Sequence, residues 1–115
     1  MEEKDIKLYK DIFYYINEDG KTLTVVGFKN STKVAEVPDI IKGIKVTHMT
    51  AEFPTYRCTS LKEITISSGI TLERRLFALN HSIEKVFFKS GVTLCGQVFE
   101  YSDLKEIKME KGVKI

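Results

Sequence analysis

Residues 61–115 carry nearly the same pattern three times. LKEITISSGITL (61–72) is followed by IEKVFFKSGVTL (83–94) and then by LKEIKMEKGVKI (104–115). The units start at Leu61, Ile83 and Leu104, so the interval is nearly constant. Self-similarity at a period in this range belongs to solenoids, in which each unit buries its apolar face only against the units beside it. The chain is therefore expected to stack coils rather than to close around one central core.

The unit itself has a readable plan. Its first, fourth and sixth residues are apolar: Leu61, Ile64, Ile66; Ile83, Val86, Phe88; Leu104, Ile107, Met109. Alternation at the fourth and sixth predicts a half-buried strand. Gly69, Gly91 and Gly112 then permit a tight bend. A second apolar pair follows, Ile70 with Leu72 and Val92 with Leu94. The return arms, 73–80 and 95–101, read as either a short helical turn or a short strand. Phe53, Phe77 and Phe99 recur once per turn, as a stacked aromatic core would require. Cys58 and Cys95 fall at different phases of the repeat, which argues against a bridge, and both are expected to be reduced and packed.

Before the repeats, IFYYI at 12–16 and LTVV at 23–26 flank the turn residues Asn17, Glu18, Asp19 and Gly20. This predicts a β-hairpin with strands near 12–17 and 22–28. Residues 1–33 are expected to form an N-terminal hairpin cap over the end of the stack. Residues 34–115 are expected to make about three to four turns, the last incomplete. Val34, Ala35, Glu36 and Val37 form a short strand stopped by Pro38, which lacks the N–H that a ladder needs.

The spacing L-x-x-I-x-I-x-x-G, then Val/Ile-Thr, then Phe, then Cys-x-Ser-Leu, resembles the BspA-like leucine-rich repeats over roughly 34–115. The entry pattern is carried by Val37-Pro38, Gly43, Val46-Thr47, Phe53 and Cys58-Thr59-Ser60-Leu61. The resemblance implies a leucine-rich-repeat solenoid, mainly β, with a parallel sheet on its concave side. It implies an adhesion or protein-binding module of bacterial surfaces. Gly69, Gly91 and Gly112 stand at the ninth position, where the general leucine-rich signature has Asn or Cys.

Composition narrows the chemistry. The formal net charge is +2, too small to draw the chain to nucleic acid or a membrane. No apolar run approaches the ~18–20 residues of a membrane span. The polar start at 1–5 is unlike an export signal, so the chain as written stays in the cytoplasm; as part of a longer protein it would belong on a bacterial surface or be secreted. His48 and His81 stand far apart in the chain and in different phases, and no metal-ligand spacing joins them to a cysteine. Arg74-Arg75 is a small basic spot, not a nucleic-acid face. Nothing in the pattern brings a nucleophile to a base, so no catalytic residue, metal or cofactor is expected.

Binding is the expected role, and the repeat alignment locates it. Second positions read Lys62, Glu84, Lys105, and third positions read Glu63, Lys85, Glu106. Neighbouring strands of a sheet lie ~4.7–4.9 Å apart, so each column alternates in sign and favours the correct register. Fifth positions point outward: Glu36, Thr65, Phe87, Lys108. Phe87 breaks that polar row, and an exposed aromatic on a rigid face is a natural anchor for a protein ligand. The candidate binding surface is Phe87 with Thr65, Lys108, Glu84 and Lys85. The alternative is a structural or self-associating solenoid piece, pairing as a homodimer through the edge strand at 104–109.

Overall fold

The computed structural model describes residues 4–115; the start of the polar N-terminal segment, residues 1–3, lies outside them. The fold is a β-solenoid of about four turns, almost free of helix. In chain order the strands are β1 (Lys7–Tyr9), β2 (Ile12–Ile16), β3 (Thr22–Phe28), β4 (Val34–Val37), β5 (Ile40–Ile41) and β6 (Ile44–Met49). Then come a 3₁₀ turn at Pro54–Tyr56, β7 (Glu63–Ile66), β8 (Thr71–Leu72), β9 (Lys85–Phe88), β10 (Thr93–Leu94) and β11 (Glu106–Met109).

These strands form two sheets. The front sheet is fully parallel, in the order β4-β7-β9-β11. Its register follows the repeat: Ala35, Ile64, Val86 and Ile107 lie side by side, as do Val37, Ile66, Phe88 and Met109. The back sheet runs β1-β2-β3-β6-β8-β10, with β5 folded antiparallel against β6. The front pair of each unit and its second pair meet in the interior, so Ile64, Ile66, Ile70, Leu72, Val86, Phe88 and Val92 are all buried. Each such side chain contributes about 1.5–3 kcal/mol by leaving water.

The repeated glycines sit where the chain turns from the front sheet to the back. Gly69, Gly91 and Gly112 have φ of 75°, 74° and 79°, the left-handed region that only glycine enters at little cost. They stack directly: a side chain on Gly112 would touch the backbone of Gly91, and one on Gly91 that of Gly69.

The hairpin is present as β2 and β3, with a third strand, β1, paired antiparallel to β2. Its turn is closed by Asp19, whose carboxylate accepts from the Lys21 N–H (2.8 Å), the Thr22 N–H (3.0 Å) and the Thr22 hydroxyl (2.8 Å). These bonds hold the Asp19 carboxyl below its ordinary pKa, the Lys21 amide contributing most. β3 pairs parallel with β6, so the hairpin prolongs the back sheet. The front sheet receives no such extension and starts at β4.

Several expectations are corrected. The return arms are neither helix nor strand. The N–H groups of Leu76, Ala78 and Asn80 bond three residues back within the arm, while those of Arg75, Phe77 and Leu79 bond Gly96, Val98 and Glu100 on the next arm. Alternate residues thus serve the turn and the stack. Arg75, Leu79, Gln97 and Tyr101 take positive φ (58–61°) to allow it, a conformation costing ~1–2 kcal/mol each in a non-glycine residue and held by the flanking bonds. Phe77 and Phe99 stack at 5.6 Å, but Phe53 meets Tyr15 of the hairpin at 5.9 Å instead of continuing the column. Cys58 is buried, its thiol 3.2 Å from the Thr32 carbonyl, whereas Cys95 is exposed because it lies just past the end of β10. Ile107 and Met109 keep the strand alternation yet stay 42% and 44% exposed, since β11 ends the front sheet.

Candidate functional site

The outward face of the front sheet carries two rows of side chains, because alternate residues of a strand point to opposite faces. Ladder register puts Val34, Glu63, Lys85 and Glu106 in one row and Glu36, Thr65, Phe87 and Lys108 in the other. Phe87 is half-buried, flanked by Thr65 on β7 and Lys108 on β11. Together with Val34, Glu63 and Lys85 these residues line a shallow depression of about 300 Å³. The buried edges of Ala35, Ile64 and Val86 form its floor.

Four of the five predicted site residues therefore come together: Phe87, Thr65, Lys108 and Lys85. Glu84 does not line the depression. It stands at the entrance to β9, where its carboxylate lies 3.8 Å from the Lys62 ammonium and 3.7 Å from that of Lys105. Lys85 is in turn 3.7 Å from Glu63. The expected alternation of charge along the stack thus takes the form of real contacts. All five side chains are well exposed, so each pair contributes only about 0.2–1 kcal/mol. Glu84 fastens rungs together and borders the face.

Val34 is the residue that the repeat reading missed. It occupies the same position as the charged Glu63, Lys85 and Glu106, yet it is apolar and 67% exposed. The step from Val34 on β4 to Glu63 on β7 is longer than the step from Glu63 to Lys85 on β9, because β5, β6 and the 3₁₀ turn lie between. The row that sets Glu36 beside Thr65 already implies this place for Val34; what went unremarked is that an apolar side chain stands there. The face accordingly presents two apolar groups, Val34 and Phe87, among charges of both signs.

The remaining polar clusters lie elsewhere. His48 Nδ1 is 2.9 Å from the Thr47 hydroxyl. His81 Nδ1 is 3.0 Å from Asp103 at the exposed end of a return arm. Arg74 and Arg75 both donate to the Gln97 side-chain carbonyl (2.9–3.2 Å), and Gln97 donates to Glu100 at 2.7 Å. The basic pair is thus tied to the next arm. Among the described residues no group of three or more His, Cys, Asp or Glu side chains gathers as a metal-ligand set, and no helix is long and apolar enough to cross a membrane. No protein-family model, curated protein or solved structure significantly matches the chain.

Proposed function

We propose that this chain is a non-catalytic protein-binding repeat module of leucine-rich-repeat type, akin to BspA-like adhesion repeats, and that it binds through the outward face of its front sheet. The observation that carries this reading is Phe87. It stands half-exposed in a row otherwise made of Glu36, Thr65 and Lys108, on the same face as the 67% exposed Val34 but across β7 from it. A rigid parallel sheet holds an aromatic anchor at little entropic cost on binding. A half-exposed aromatic set among Lys85, Lys108, Glu36 and Glu63 suits a mixed protein surface better than a polyanion. Cofactors have no part in this reading. The test is site-specific photo-cross-linking: a benzophenone side chain at position 65 should trap a partner that the same group at Leu79, on the return arm, does not. Equal trapping from both positions would dismiss the face.

A second reading rests on β11. All four of its residues are exposed, and its outer edge is unpaired among the described residues. Two copies could join there as an edge-paired homodimer. Sedimentation would show a concentration-dependent dimer that Ile107→Lys abolishes. A monomer at millimolar concentration would remove this reading and leave the first intact.

A further inference from the structure

The two sheets end differently at the N-terminal side. The back sheet continues past β6 with β3, β2 and β1, while the front sheet stops at β4. Successive backbone groups of a paired strand alternate between its two sides. The Lys33 carbonyl accepts from the Glu63 N–H at 3.1 Å, and the Val37 carbonyl from the Ser67 N–H at 3.1 Å. Residues 33, 35 and 37 therefore face β7. Val34 and Glu36 turn their N–H and C=O groups to the side that is unpaired among the described residues, and Pro38 adds a carbonyl but no N–H.

Alongside that edge runs a cleft of about 440 Å³. Its far wall is the β1–β2 turn, Tyr9, Lys10 and Asp11, and its near wall is β4. Val34 and Ile40, 67% and 55% exposed, stand at its lips. Thr32 also lines it; this residue is 8% exposed, and its hydroxyl has no hydrogen-bond partner among the described residues. Charge in the cleft is unbalanced. Among the described residues neither Asp11 nor Glu36 forms an ion pair, while the Lys10 ammonium lies 5.4 Å over the Tyr9 ring.

We propose that this cleft is a strand-addition site: it takes one extended segment of a partner protein, with a basic and an apolar residue two positions apart on one face, which pairs with Val34 and Glu36 and occupies the missing front-sheet position. The hairpin decides that the occupant is a lone strand. A second copy stacked coil upon coil would need the back-sheet positions that β3 and β2 already fill. The acidic groups decide its sign. The residue opposite Glu36 in an added strand shares its face, so lysine or arginine there is paired, and an apolar residue two positions away, on the same face, covers Val34. Main-chain bonds supply affinity and the apolar–basic pair on one face supplies specificity, as in other cases of β-augmentation. The cleft adjoins the Phe87 face at Val34 but does not use Phe87, so the two sites stand or fall separately.

The experiment titrates the full chain with a blocked heptapeptide whose third and fifth residues are valine and lysine and whose other residues are threonine, read by fluorescence anisotropy and by amide exchange in NMR. Saturation should slow exchange at Val34 and Glu36 at least tenfold. A valine–glutamate peptide should bind at least tenfold more weakly, Glu36→Lys should reverse that preference, and N-methylation of the peptide's pairing amides should abolish binding. Lys111→Ala should leave peptide affinity unchanged. The proposal is overturned if Val34 and Glu36 gain no protection at millimolar peptide, or if protection falls on Ile107 and Met109 instead. It is equally overturned if Val34 and Glu36 become protected without peptide as protein concentration rises, which would make a second copy the occupant.

Discussion

Exchanging one rung of the charge ladder is the sharpest perturbation of the stack. In Glu84→Lys/Lys85→Glu, position 84 becomes a lysine between Lys62 and Lys105, and position 85 a glutamate between Glu63 and Glu106. Three attractive contacts at 3.7–3.8 Å turn repulsive. Allowing about 0.4 kcal/mol for each attraction lost and a similar amount for each repulsion gained, the exchange should cost about 2 kcal/mol at low salt. With a slope of about 1–3 kcal/mol per molar urea, the unfolding midpoint should fall by about 1 M. In 1 M NaCl, where the screening length is ~3 Å, less than half of that loss should remain. Lys62→Glu/Glu84→Lys/Lys105→Glu inverts one column but keeps it alternating, and should stay within about 0.5 kcal/mol of the parent. An unchanged midpoint for the double variant, a loss insensitive to salt, or a triple variant as unstable as the double would each refute the reasoning.

Three further outcomes follow from local geometry. A methyl at Gly27 would collide with the Tyr56 carbonyl, where the 3₁₀ turn crosses β3; Gly27→Ala should cost about 3 kcal/mol or leave the chain unfolded, as overpacking does, and calorimetry will show which. Thr32→Val removes a buried hydroxyl that has no partner and should leave urea stability equal or up to about 1 kcal/mol higher; a loss beyond that would mean the hydroxyl is bonded in solution. Asp19 has a folded pKa below its ordinary 3.8, so its contribution is complete above that value and fades as pH falls through the folded pKa. Asp19→Asn should therefore flatten the acid limb of a stability–pH curve, and an unaltered limb would contradict the turn geometry.

Much of the fold was legible because a solenoid writes its register into its period. The steps from Leu61 to Ile83 and from Ile83 to Leu104 are the same steps that pair Glu63 with Lys85 and Lys85 with Glu106 in the ladders of β7–β9 and β9–β11. The charge columns and the Thr65–Phe87–Lys108 row could therefore be drawn from the sequence. The first rung was legible as well, since Glu36 pairs with Thr65 as the fifth-position row required, although an inserted hairpin arm and a 3₁₀ turn stretch its interval. The return arms were opaque. Arg75, Leu79, Gln97 and Tyr101 adopt left-handed backbone without the glycine that would announce it. Their conformation is imposed by hydrogen bonds to the adjacent arm, a tertiary cause with no local signature. The cleft beside β4 was hidden too, because a free edge is defined by which strand is missing and not by the residues of the strand present.

The central claim is that the front face binds protein through Phe87. The direct measurement is the affinity of the partner trapped at position 65 for Phe87→Ala, compared with Lys111→Ala outside the face. The account predicts at least a tenfold loss for Phe87→Ala, about 1.4 kcal/mol, with urea stability little changed and Lys111→Ala indistinguishable from the parent. A partner that binds Phe87→Ala as tightly as the parent would contradict it.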